Sequence, residues 1–308
     1  MGCREAGEGK VLRLAHVLDT RHPVHAGMEH MGEAVERLSE GRLRVRIYAG
    51  GQLGSERELL ELVQLGALDM VKTSASPMEG FVPGMEVFSI PYVFRDEGHL
   101  WRVLEGRVGR ALLDLGVDKR LKGLCYYDAG SRSFYTRGRP VMRPEDLRGL
   151  KIRVQNSRAA IRMVEAMGGA ATPLAFGELY TALDQGVVDG AENNPPSFLT
   201  SRHYEVCRYY ALDEHTSVPD LLMVGTPTWE RLDGREREWL EAAAEVSMRF
   251  QRELWAGRTR EDLETLAGAG VEILHPDKVR FQEAVRGLQA SYRGTAAGPW
   301  MEAILEQG

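Results

Sequence analysis

The chain has 308 residues, of which 43% are apolar and 27% charged, and its 39 Lys and Arg against 45 Asp and Glu give a formal net charge of −6. That length predicts about two domains and that composition a packed core, which excludes wholesale disorder. The negative balance argues against a nucleic-acid surface but not against a local pair of arginines that takes a small anion.

No run reaches the 18 or so apolar residues that a membrane-spanning helix requires. The chain opens Met1-Gly2-Cys3 and passes through polar residues to Lys10, as a trimmed secreted protein would. Gly2-Cys3 is either the remnant of a lipoprotein signal, with a lipid on Cys3, or part of a plain tail. Cys3, Cys125 and Cys207 form no CxxC and no metal spacing. Cys125 and Cys207 stand in apolar surroundings and read as small core fillers rather than as a disulfide.

In chain order, Val11 to His16 alternates as a strand does, and His22-Pro23 precedes a helical pattern of Met28, Met31, Ala34, Val35 and Leu38 that stops at Gly41. Leu43–Tyr48 is a second alternating strand. After the loop Gly50-Gly51-Gln52-Leu53-Gly54, Ser55 and Glu58 make a capping box for a helix from Glu56 to Leu65. Leu68–Val71 reads as a third strand, so the first hundred residues run β-α-β-α-β and predict an open α/β sheet. Pro91 keeps Phe88–Phe94 out of a central strand. Leu100–Leu115 is helical, Leu121–Tyr127 strand-like, and Gly130 marks a bend before a strand carrying Arg132.

The stretch from Gly149 to Pro196 reads as a βαβ-type unit. In Lys151-Ile152-Arg153-Val154-Gln155, Ile152 and Val154 face one way and Arg153 and Gln155 the other. Pro173–Phe176 is read as the next strand, Gly177–Leu183 as a helix ended by Gly186, and Val187–Ala191 as a strand that delivers Glu192, Asn193 and Asn194 at its carboxyl end. A charged arginine in a covered strand needs a partner. Arg153 therefore either pairs with an internal acid near an edge or holds a ligand carboxylate in a guanidinium fork. Asn193 can donate and accept to a carboxylate or hydroxyl, or serve as a turn residue. Leu221–Thr226 is a further strand, and the charged region from Pro227 to about Gly268 carries a long apolar stripe from Trp229 to Trp255. That stripe predicts a long helix bridging two domains, followed by a short strand at Val271–Leu274 and closing helices.

Catalytic and nucleotide signatures are missing: there is no GxGxxG after a strand, no Walker loop, no HExxH and no GxSxG. His16, His22, His25 and His30 match no metal-site spacing. No cofactor and no metal are expected.

Gln52-Leu53-Gly54, Pro91-Tyr92-Val93, Leu150-Lys151-Ile152-Arg153-Val154, Thr172-Pro173-Leu174-Ala175-Phe176 and Val188-Asp189-Gly190-Ala191-Glu192-Asn193 together resemble, in order and spacing, the substrate-binding proteins of tripartite ATP-independent periplasmic (TRAP) transporters. The resemblance runs from Leu12 to about Pro276. It implies an α/β, two-lobed periplasmic-binding-protein-like fold with open sheets, an interdomain cleft and a long bridging helix. Lobe I would comprise 1–128 plus 219–256, and lobe II 129–218 plus 257–308.

It also implies roles. Arg153 becomes the principal carboxylate clamp, Arg132 a second cation, Asn193 a carboxylate contact, Phe176 a pocket wall and Glu56 an acid touching hydroxyls or water. Val17 and Ser74 stand where the sialic-acid branch has an asparagine and an acid, and Gln155-Asn156-Ser157 rather than proline comes after the strand arginine. These departures speak against sialic acid, while Arg132-Ser133-Phe134-Tyr135, Arg153-Val154-Gln155-Asn156-Ser157 and Ala191-Glu192-Asn193-Asn194 together resemble members that bind sugar acids such as hexuronates, with Gln155, Asn194 and His16 as hydroxyl-reading candidates. The expected protein is a non-enzymatic, extracytoplasmic carrier, monomeric, which closes on an organic acid and delivers it to a TRAP permease in the membrane. A short dicarboxylate or 2-oxo acid cargo, a soluble α/β enzyme acting on sugar acids, and a sensory adaptor are the rival readings.

Overall fold

A computed structural model describes residues 9–307; Cys3, and with it the lipid expectation, lies outside them. The chain first builds β1 (Lys10–Ala15), α1 (Pro23–Leu38), β2 (Leu43–Tyr48), α2 (Glu56–Leu65), β3 (Met70–Ser74) and the single turn α3 (Ala75–Met78). His22 caps α1 by accepting from the Val24 N–H, with Pro23 in the first turn, where its missing N–H costs nothing. The expected capping box is present: Glu58 Oε2 accepts from the Ser55 N–H at 2.7 Å while the Ser55 hydroxyl faces the Glu58 N–H.

Residues 88–94 form no strand; a 3-10 turn spans Pro83–Ser89. The single helix expected over Leu100–Leu115 is split into α4 (Glu97–Glu105) and α5 (Arg107–Asp114), because Gly106 takes an extended conformation in which a Cβ would sit 2.7 Å from the Arg102 carbonyl. β4 (Leu121–Tyr127) closes this part.

The chain then crosses to a second sheet through β5 (Arg132–Thr136), β6 (Lys151–Val154), α6 (Arg158–Ala166), β7 (Ala170–Pro173), α7 (Leu179–Asp184), β8 (Gly190–Asn193), α8 (Pro195–Thr200) and β9 (Tyr209–Thr216). It returns in β10 (Asp220–Gly225) and α9 (Thr226–Arg231), and runs across both halves in the 35-residue α10 (Gly234–Gly268). It ends in β11 (Glu272–Leu274), α11 (Lys278–Ser291) and α12 (Gly298–Leu305). The sheets order as β2-β1-β3-β10-β4 and β11-β9-β5-β8-β6-β7. β10 runs antiparallel to both its neighbours.

Alternation along the strands feeds a core on each face of each sheet. Leu221 and Met223 join Phe88, Trp101 and Tyr126 on one side of the first sheet, while Leu222 and Val224 join Met28, Val35 and Leu240 on the other. Phe134 and Tyr135 divide in the same way in the second sheet. Cys125 and Cys207 are free and buried, in different lobes.

Other placements also differ from the sequence reading, among them the third strand, expected at Leu68–Val71 and found as β3 at Met70–Ser74. The strand expected at Pro173–Phe176 is β7, which ends at Pro173 on the open edge of the sheet, with the Leu174 N–H making the last bond to β6 at the Val154 carbonyl, 3.3 Å; Phe176–Glu178 is a 3-10 turn. The strand expected at Val187–Ala191 begins at Gly190, because Val187 and Val188 wrap up the end of α7 by donating back to the Ala182 carbonyl. Glu192 and Asn193 consequently lie within β8. Finally, the division above gave 257–308 to lobe II. α11 packs Phe281 and Val285 on the second sheet, but Tyr292, Ala297, Met301 and Ile304 join the first-lobe core beside Trp101 and Leu104.

Candidate functional site

The cleft between the sheets is where the buried charges gather. β6 lies between β7 and β8, parallel to both, and presents Arg153 with 2% exposure. Its Nε and Nη2 both donate to the Leu174 carbonyl, at 3.0 and 2.7 Å, which fixes the guanidinium plane. Phe176 lies beneath, its ring centre 5.9 Å from the guanidinium carbon. Nη1 is buried and has no partner. Burial pulls the Arg153 pKa down, and the nearby Arg132 adds to this. An unsatisfied buried guanidinium N–H costs more than an unmade bond at the surface, so it calls for an acceptor in the cleft.

Arg132, at the start of β5, is spent differently. Nη2 donates to the Glu192 carbonyl and Oε1 at 2.8 and 2.9 Å, Nε pairs with Glu192 Oε2, and Nη1 donates to Asn193 Oδ1 at 2.9 Å. Behind it, His215 Nε2 lies 3.5 Å from Glu192 Oε2, and its Nδ1 2.8 Å from Asp213 Oδ2. Burial opposes the Glu192 charge, yet Arg132 and His215 bring its pKa down to about 2. Burial likewise opposes the His215 charge, but Asp213 and Glu192 raise its pKa to about 9. Arg132 is thus an internally answered cation that sets the Asn193 side chain. Asn193 Oδ1 also accepts from the Asn194 N–H at 2.9 Å, so its Nδ2 is the end free of these bonds.

The facing wall comes from lobe I. Glu56 Oε1, at the start of α2, accepts from the Ser74 N–H at 2.9 Å and lies 3.8 Å from Lys72 Nζ. Lys72, 2% exposed in β3, pairs with Asp220 Oδ2 at 2.7 Å. Burial raises the Asp220 pKa to about 6 despite that pairing. Ser74 Oγ reaches Gln155 Oε1 across the cleft at 3.5 Å. A small cavity of about 20 Å³ remains between the walls, lined among others by Glu56, Arg57, Arg153, Gln155 and Phe176. A larger one of about 270 Å³ lies at the hinge, lined by Asp128, Gly130, Ser217 and Trp255; it shares no residue with the Arg153 site.

Of the residues singled out from sequence, Arg153, Arg132, Asn193, Phe176, Glu56, Gln155 and Ser74 are thus brought together. His16 and Asn194 lie nearby with their polar atoms committed. His16 Nδ1 accepts from the Leu18 N–H at 3.1 Å and Nε2 meets His25 Nδ1 at 2.9 Å; burial and then Lys72 lower its pKa to about 3. Asn194 caps α8, accepting from the Ser197 N–H at 2.8 Å and donating to the Ala129 carbonyl at 2.9 Å. Lys72, Asp220 and Glu192 were not foreseen as site residues. The available signal was a charge set inside apolar strand segments, Met70-Val71-Lys72 and Asp220-Leu221-Leu222.

The chain is similar to known proteins along most of its length. The family model described as bacterial extracellular solute-binding protein, family 7, matches residues 14–295. A solute-binding protein of Chromohalobacter salexigens is 37% identical over 262 residues, 85% of this chain and 78% of its own. The crystal structure of a TRAP periplasmic solute-binding protein from a Sulfitobacter species, with bound β-D-galacturonate, superposes with a TM-score of 0.92 at 36% identity, covering 97% of this chain and 99% of the other. That of a TRAP periplasmic solute-binding protein from Pseudomonas putida F1, with bound D-glucuronate, gives 0.92 at 35% identity over 96% of each chain.

Proposed function

The chain belongs to bacterial extracellular solute-binding protein family 7, the solute-binding components of TRAP transporters, and we propose that its cargo is a hexuronate gripped at the carboxylate by Arg153. Members of the family work in the periplasm and hand their solute to a membrane permease. The observation that carries the ligand reading is the buried Arg153 Nη1 without a partner, beside a rotamer already fixed by Leu174. A carboxylate supplies the missing acceptor, in a low-dielectric site where the charge-assisted bond is strong. Asn193 Nδ2 adds a donor, and Phe176 gives the sugar ring an apolar face. The hexuronates bound to the Sulfitobacter and Pseudomonas relatives support the same choice.

Binding and closure are one event in this reading. Contacts already bridge the lobes away from the sugar: Arg21 Nη2 donates to the Thr200 carbonyl at 3.1 Å, His22 meets Ser197 Oγ at 3.1 Å, and the Ser157 hydroxyl donates to Glu79 at 2.6 Å. A ligand that completes Arg153 adds the free energy that favours this arrangement over an open one.

Calorimetry on protein stripped of co-purified solute by unfolding and refolding tests the reading. Wild type binds D-glucuronate or D-galacturonate, and Arg153→Ala loses about 2–5 kcal/mol, or ~30-fold or more in affinity. An Arg153→Ala variant that binds as wild type does would sink the assignment. We read the carrier as a monomer, since its exposed large apolar side chains, such as Val11, Leu65, Val187 and Val279, sit on separate elements; light scattering of the purified protein checks this.

A further inference from the structure

We propose that the Glu56–Lys72–Asp220 wall of lobe I restricts the cargo to acids with a single carboxylate, turning away aldaric acids and short dicarboxylates. The inference rests on the reading of Arg153 as the carboxylate clamp and adds what the opposite end of the ligand must be.

The charges of the cleft divide unevenly. On lobe II, Arg132 is answered by Glu192 and His215 by Asp213. Arg153 Nη1 and His215 Nε2 are the cleft cation donors without a hydrogen-bond partner among the described residues, and His215 Nε2 already lies 3.5 Å from the Glu192 carboxylate, which leaves the Arg153 guanidinium open to a ligand. On lobe I the balance is reversed: one ammonium, Lys72, stands within 2.7 Å of Asp220 and 3.8 Å of Glu56. His16 and His22 add no positive charge there, because burial and the neighbouring Lys72 hold both imidazoles neutral. Arg57 at the mouth is exposed and paired with Glu61 at 3.1 Å.

A ligand carboxylate is therefore drawn to lobe II, and what faces lobe I meets two carboxylates and an ammonium whose charge they already share. That set suits hydroxyls, which donate to Glu56 and Asp220 and accept from Lys72. A second carboxylate at the far end of a six-carbon chain would be placed against like charge in a site without bulk water. Lys72, at 2% exposure in a central strand, belongs to a buried ion set that is costly to fold.

The test is calorimetry of the stripped wild-type protein at pH 7.5 with D-glucuronate, D-galacturonate, galactarate and succinate. The expected result is binding of a uronate at least about 50-fold tighter than galactarate or succinate. Glu56→Gln and Asp220→Asn each narrow that ratio by roughly tenfold.

A measurement on wild type guards against a variant that misfolds. Asp220 is faced by Lys72 from β3, Glu56 from α2 and Arg132 from β5, and protonation near pH 6 removes one charge of the wall. The uronate-to-galactarate ratio should therefore shrink about fivefold between pH 7.5 and 5.5, succinate being left out of this arm because its own second carboxyl titrates in that range. Galactarate bound within threefold of the better uronate, or a ratio unmoved by both substitutions and by pH, overturns the proposal while leaving the clamp standing, since both ligands offer Arg153 a carboxylate. Absence of sugar-acid binding by wild type would overturn the clamp, and this inference with it.

Discussion

Asn193 and Asn194 are adjacent residues of one type, yet their surroundings divide binding from folding between them. Asn194 spends both ends on the protein, as the cap of α8 and as a tie to Ala129. Asn193 has its oxygen held by Arg132 and the Asn194 N–H, and its Nδ2 lies outside those bonds. Asn194→Ala should lower stability by about 1 kcal/mol, the usual cost of a lost cap, and leave affinity within a few-fold. Asn193→Ala should lower affinity about tenfold or more; thermal melts and calorimetry on the two variants separate the cases.

The pair also shows where sequence was readable. Arg153 stood out because a charge between Ile152 and Val154 needs a partner. Asn194 looked like a hydroxyl reader because residue type does not reveal that both its ends are locally consumed, although Asn followed by Pro195 is itself a cap signature. Lys72 escaped because the third strand was read as ending at Val71, whereas β3 runs from Met70 to Ser74 and β10 lies beside it and brings Asp220.

Among elements, α1 against α10 is the packing that ties the long helix to the first sheet. Gly27 sits at their crossing, and a Cβ there would lie 2.8 Å from the Gln251 side chain. Gln251 is unable to yield, since it accepts from the Asp128 N–H at 2.7 Å and donates to the Asp128 carbonyl at 2.9 Å. Gly→Ala inside a helix normally gains about 0.5–1 kcal/mol. Gly27→Ala should instead cost about 1–3 kcal/mol by forcing the helices apart, read as a lower urea midpoint. The helix itself was legible in its stripe, of which Trp239 to Trp255 lies on α10 and Trp229 on the preceding α9, and the β-α-β-α-β opening in strict alternation and the Ser55–Glu58 box. The start of β8 was not, because Val187-Val188 has a strand's composition while the αL turn at Gly186, φ 71°, folds it back onto α7.

For the whole molecule, the buried titratable groups set a pH optimum. His16 and His203 are held neutral, burial lowering both pKa values to about 3. Their contribution is present above 6.5 and is lost as pH falls toward 3. Glu79 and Asp128 work the other way: burial raises their pKa values to about 7 and about 6, so the stability they add at low pH is lost as pH rises to those values. On the acid side the two sets offset each other. His215, at about 9, contributes fully below 6.5 and loses that contribution as pH rises through 9. Stability should therefore fall by about 1–3 kcal/mol between pH 6.5 and 9.5. His215→Asn should flatten that limb in denaturant titrations run across the range.

The sheet order β2-β1-β3-β10-β4 also carries a consequence for how the protein is made. A polypeptide leaves the ribosome amino end first. β3 and β4 emerge with an empty slot between them, and every strand of the second sheet but β11 follows before β10 arrives to fill it. The terminal turn and helix that finish the first core come last of all. The lobe that begins the chain is thus the last to be completed, and until residue 220 is out Lys72 has no Asp220 to meet. The leading half of the chain therefore cannot close into a finished domain before its trailing end has been made.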